Sequence, residues 1–143
     1  MPREILVMDG QGGRIGREIV ERLKTECPQC TVTAVGTNSM ATSAMLKGGA
    51  DQAATGENAV IVNAARADII LGPIGIVIAD ALLGEITAAM AAAVGKSRAV
   101  KLLIPVNQCN NLIVGTAKLS VKALLDDAVE RVREIVKSEG SVS

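Results

Sequence analysis

Apolar and polar positions alternate along this chain in two rhythms, one short and continuous, the other spaced for a helix. Glu4 to Met8 is a short apolar run, followed directly by Asp9-Gly-Gln-Gly-Gly-Arg-Ile-Gly16. Ile15, Ile19, Val20 and Leu23 then recur at helical spacing up to Pro28, so the opening reads as strand, glycine turn, helix. Thr31 to Val35 is rich in β-branched residues and ends in Gly36-Thr37-Asn38, and Ser39 to Lys47 reads as a helix stopped by Gly48-Gly49. Val60-Ile61-Val62 looks like a strand on β-branching alone. A strand at Gln52 to Thr55, however, leaves Gly56 to Ala67 just long enough for a helical crossover, so the segment is assigned as helix. Asp68 to Leu71 is then a buried strand, Gly72-Pro73-Ile74-Gly75 a turn, and Ile76 to Leu83 a helix broken by Gly84.

Thr87 can cap an alanine-rich helix from Ala88 to Val94, and Ala99 to Ile104 is a further strand. Leu112 to Val114 could return as a short antiparallel edge strand. Ser120 caps the best amphipathic helix, with Val121, Leu124, Leu125, Ala128, Val129, Val132, Ile135 and Val136 on one stripe. Repeated β-then-α alternation predicts an α/β fold with a doubly wound, Rossmann-like, mostly parallel sheet of five strands. No linker interrupts it, so residues 1–143 are expected to form one domain.

Composition narrows the chemistry more than it narrows the fold. The 143 residues are 49% apolar and 21% charged, which suits a packed core, and three cysteines are too few for a disulfide scaffold. His, Phe, Tyr and Trp are all absent. Imidazole general bases, Ser-His-Asp or Cys-His machinery and Tyr-Lys proton relays are therefore excluded. With no His, and with Cys27, Cys30 and Cys109 the only sulfur ligands, a four-ligand zinc site of Cys and His cannot be built within one chain, and no metal is expected. Fifteen basic against 15 acidic residues, and no ring to stack on a base, argue against nucleic acid as a partner. The longest uncharged apolar stretch, Ile69 to Ala79, is about half of what a bilayer requires, and no signal-peptide core follows Met1, so a cytoplasmic protein with no membrane partner is expected.

Groups with binding potential fall where predicted strands end. Open α/β sheets bind ligands there, because helix N-termini turn unpaired N–H groups into the crevice. Gly10, Gly12, Gly13 and Gly16 approach the dinucleotide fingerprint, with the last glycine one place late, and Gln11 and Arg14 complete the turn. Asp9, where phosphate charge would come, and Thr37-Asn38, in place of the usual acidic residue, count against a standard site, so NAD and NADP are not favoured and the cofactor stays unassigned. Thr37, Asn38, Asn58 and Asn107 are the other candidate ligand contacts. Turns collect such residues anyway, and the glycines could serve packing alone. Catalysis, if any, would fall to Asp9, Glu57, Glu85 or Cys109. Cys27-Pro-Gln-Cys30 has redox spacing, but it ends a helix instead of starting one. Gly95-Lys96-Ser97 imitates a P-loop without its first glycine or its preceding strand.

Asp9 to Gly16, Gly36 to Leu46, Ala54-Thr-Gly-Glu-Asn58, Gly72-Pro-Ile-Gly-Ile76, Gly84-Glu-Ile-Thr87 and Ile104-Pro-Val-Asn-Gln-Cys-Asn110 together resemble a small bacterial family of unknown function. The resemblance runs over nearly the whole chain and implies a Rossmann-like fold, but it brings no reaction, substrate or cofactor. Cys27 and Cys30 lie outside its pattern. The leading expectation is a binder of a nucleotide or other small anionic metabolite. Its rivals are an oxidoreductase or transferase on the same site, and an assembly module whose Ile86 to Val94 helix packs against its copy in a homodimer.

Overall fold

The computed structural model describes residues 3–106, 111–116 and 118–140. Strands β1 (Glu4–Asp9), β2 (Thr31–Gly36), β3 (Gln52–Thr55), β4 (Ile69–Pro73) and β5 (Val100–Ile104) alternate with helices α1 (Arg14–Glu26), α2 (Ser39–Lys47), α3 (Glu57–Arg66), α4 (Ala88–Lys96) and α5 (Val121–Gly140). The strands form one parallel sheet in the order β3-β2-β1-β4-β5. Parallel strands covered on both faces read as continuous apolar runs, and alternate residues of β1 do divide between two cores. Ile5 and Val7 pack with α1, α2 and α5, through Ile19, Leu23, Met45, Leu125 and Val132. Leu6 and Met8 pack with α3 and α4, through Val60, Ala64, Met90 and Val94. This is the doubly wound, Rossmann-like arrangement that the alternation predicts.

The order places the topological switch between β1 and β4. Register then levels the strand tips, because Asp9 pairs with Gly36, Gly36 with Thr55, and Pro73 with Ile104. Groups far apart in sequence thus meet along one carboxyl edge. Local signals also hold: Asn38 caps α2 by accepting the Ala41 N–H, Thr87 caps α4 by accepting the Met90 N–H, and Ser120 accepts the Ala123 N–H. The helix expected in Gly56 to Ala67 is present as α3, with Gly56 and Ala67 flanking it as its caps. The alanine-rich α4 covers the sheet with Met90, Ala91 and Val94 and leaves Ala88, Ala89 and Ala92 exposed.

Three expectations need correction. Ile76 to Leu83 is not a helix: Ile74–Val77 makes one 3-10 turn, and Asp80, Leu82, Leu83 and Gly84 then take left-handed φ values of 67°, 57°, 57° and 91°. The reason is tertiary, since Leu82 and Ile86 are drawn into the core beside Met8 and Ile76. β4 runs on through Gly72 and Pro73, where a turn was expected, because it pairs there with Leu103 and Ile104. Leu112 to Val114 is not a strand: Val114 and Gly115 form a turn, and Leu112 and Val114 are 77% and 97% exposed. Among the described residues no helix is long and apolar enough to cross a membrane.

Candidate functional site

The site begins with Asp9 at the tip of β1. Its side chain folds back beneath the turn, where one oxygen accepts the Gly10 N–H at 2.8 Å and the other the Gly16 N–H at 2.7 Å. Gly13, the residue that caps α1, has no side chain to cap with, so Asp9 supplies the acceptor that an early helical N–H requires. The carboxylate is 5% exposed and lies under the turn, not across it as the sequence suggested. Burial pushes its carboxyl above the ordinary 3.8, the two N–H groups pull it back, and Glu85 adds a further upward push.

The turn closes through Gly13 N–H to Gly10 O at 2.9 Å, and Arg17 N–H returns to Gly13 O. Helix geometry leaves the N–H groups of Arg14 and Ile15, the first two of α1, with no carbonyl of their own helix. The four glycines differ sharply in what holds them. A Cβ would meet Thr37 Oγ1 at 2.7 Å from Gly10, the Ala41 Cα at 2.7 Å from Gly13, and Met45 Sδ at 2.5 Å from Gly16. At Gly12 it would meet nothing within 4 Å. Packing explains three of them and leaves the second glycine of the fingerprint facing open space.

Glu85 arrives from the strap formed by residues 78–87, which links the 3-10 turn to α4. Its Oε1 accepts the Gln11 N–H at 2.9 Å, Thr37 Oγ1 at 2.6 Å and Asn38 Nδ2 at 2.7 Å. Asn38 Nδ2 also donates to Gln11 O, so the tips of β1 and β2 are stitched together. Burial works to raise the Glu85 carboxyl, but the hydrogen bonds from Thr37, Gln11 and Asn38 outweigh it and hold it below the ordinary 4.5.

An open cleft of about 690 Å³ lies at the same edge between α1 and α5, lined by Arg14, Ile15, Glu18, Arg22, Val106, Val121 and Lys122. Arg14 makes no ion pair among the described residues, whereas Lys122 is paired with Asp126 at 3.0 Å. The structure thus gathers Asp9, Gly10, Gln11, Gly12, Gly13, Arg14, Gly16, Thr37, Asn38 and Glu85. Glu57 and Asn58 stand exposed at the start of α3 and make no bond to that network. Asn107 and Cys109 lie outside the described residues. Cys27 and Cys30 are buried free thiols at the far end of α1, both pushed up by burial and so poor nucleophiles. Among the described residues no cluster of His, Cys, Asp and Glu could hold a metal. Sequence reasoning missed Leu82, which would touch a Cβ at Gly10, and Ile15, Glu18, Arg22, Val106, Val121 and Lys122 of the cleft. Of these only Ile15, inside the glycine motif, carried a signal.

A family model described as Domain of unknown function (DUF3842) matches residues 4–137. No curated protein matches the chain. Among solved structures the chain is similar to the crystal structure of a dodecameric FMN-dependent Ubix-like decarboxylase from Escherichia coli O157:H7, at 15% sequence identity and a TM-score of 0.45, over 94% of this chain and 93% of that one.

Proposed function

The chain belongs to the family described as Domain of unknown function (DUF3842), and on that footing we propose that it binds a small phosphate-bearing ligand, a nucleotide or comparable anionic metabolite, at the carboxyl edge. The observation that carries this reading is Gly12. Neither steric crowding nor a left-handed φ requires glycine there, while its three companions are each fixed by a neighbour. A bare backbone beside the unpaired N–H groups of Arg14 and Ile15 suits the close approach of phosphate oxygens, which the positive end of the α1 dipole also favours. Arg14 adds a cation, and the cleft beside it has room for the rest of a nucleotide-sized molecule.

Calorimetric titration with a panel of nucleoside phosphates tests the proposal, using wild type and Gly12→Val. The wild type is expected to bind at least one member. The variant is expected to fold, because its side chain enters open space, and to weaken binding at least about 30-fold, the equivalent of one or more lost charge-assisted hydrogen bonds. Undiminished binding by a folded Gly12→Val protein would contradict the reading, and a variant that fails to fold would assign Gly12 to packing.

A further inference from the structure

We propose that Glu85 is a built-in competitor for this site, so that the strap must lift and surrender its carboxylate position to an anionic oxygen of the ligand. The inference rests on the reading of the edge as an anion site. All three donors that the tips of β1 and β2 offer to one point in space, Gln11 N–H, Thr37 Oγ1 and Asn38 Nδ2, converge on a single oxygen of Glu85. The residues that supply them are separated from Glu85 by 74, 48 and 47 positions, so the convergence is made by the fold and not by local turn geometry. A phosphate or carboxylate oxygen offers the same acceptor chemistry, and an exchange leaves no donor unsatisfied.

Charge makes the two occupants mutually exclusive. With the strap down, Glu85 and Asp9 both border the glycine turn, and Glu85 is already close enough to push the Asp9 carboxyl up. Arg14 is the cation at that turn, so a phosphate arriving beside Glu85 meets net negative charge. Removing the Glu85 carboxylate takes away that excess and leaves Asp9 balanced by Arg14.

The strap is also built to move. Asp80, Leu82 and Leu83 hold left-handed φ values that disfavour residues with a Cβ, so its shape is imposed by its contacts and not by its own preference. Leu83 at the apex is 90% exposed and contributes no packing. The base is pinned, with Asp80 N–H donating to Ile86 O at 2.7 Å and Ile86 buried. Ile86 N–H also donates to Ala81 O at 3.2 Å, so lifting is confined to residues 82–85, held down by the Leu82 side chain, the Glu85 side-chain bonds and the Gly84 N–H bond to Asp80 O at 3.1 Å.

The test compares wild type, Glu85→Ala and Glu85→Gln in calorimetric titrations with inorganic phosphate and with AMP. Glu85→Ala is expected to bind at least tenfold more tightly than wild type, with Glu85→Gln between them, because the amide keeps an acceptor but loses the charge. Equal or weaker binding by Glu85→Ala overturns the competitor role while leaving the anion site standing. A complete lack of binding by folded protein of all three forms overturns the anion site and the competitor together. If Glu85→Ala does not fold, hydrogen exchange on the wild type decides: saturating phosphate should speed exchange at the Gly84 amide, whose bond to Asp80 O opens as the strap lifts, while the Gln11 amide stays protected by the incoming oxygen, and an unchanged Gly84 rate overturns the proposal.

Discussion

Asp9 and Glu85 border the same turn, yet burial and hydrogen bonding move their carboxyl groups in opposite directions. Asp9 is raised above 3.8, so between that value and its folded one the native chain keeps a proton that the unfolded chain releases, and stability falls as pH rises through that window. Glu85 is held below 4.5, so its contribution is present above 4.5 and is lost as pH falls through its folded value. The two slopes oppose each other in any global stability curve, which makes a site-resolved titration the informative one. Carboxyl-detected NMR should place Asp9 above 3.8 and Glu85 below 4.5, and Glu85→Ala should lower the Asp9 midpoint by removing a neighbouring charge. An Asp9 midpoint unmoved by that substitution would mean the two groups do not interact. Sequence marked Asp9 from its place at a strand end, and Glu85 only as one of the few groups able to move a proton in a chain with no His or Tyr. It could not show that both Asp9 oxygens are consumed by Gly10 and Gly16, nor could it tell Gly12 from Gly13, since the difference lies in whether Ala41 stands opposite.

The elements that sequence predicted correctly are those whose signals are local. Asn38, Thr87 and Ser120 cap the helices that follow them; α3 is the exception, since its β-branched residues read locally as strand and only the length a crossover needs makes it a helix. The strap is the opposite case. Its run from Ile76 to Leu83 is apolar except for Asp80 and holds no helix breaker before Gly84, but long-range anchoring of Leu82, Glu85 and Ile86 outbids the local preference and forces a left-handed path. Two glycine substitutions separate these regimes. Gly84→Ala enters open space at φ 91°, so strain alone should cost about 1–2 kcal/mol. Gly95→Ala also enters open space, but within α4 and without a left-handed φ, and should gain about 0.5–1 kcal/mol. Denaturant unfolding of both variants checks the pair, and equal effects would refute the claim that strain resides in the strap.

For the whole molecule, alternation of strand and helix patterns was enough to predict a doubly wound sheet, because each parallel strand must be covered on both faces. Level strand tips follow from that architecture, and they bring Asp9, Gly36, Thr55, Pro73 and Ile104 to one edge. What covers the edge was not legible, because the contact between Glu85 and the tips of β1 and β2 depends on three-dimensional closure and leaves no periodic trace. The most direct test of the account is an amide-resolved NMR titration of the wild type with a nucleoside phosphate. The account predicts the largest shifts at Gly12, Arg14 and Ile15, with a second group at Gln11, Gly84 and Glu85 as the strap is displaced. Saturable binding with shifts confined to the opposite end of the sheet, around Cys27 and the C-terminal half of α5, would contradict it.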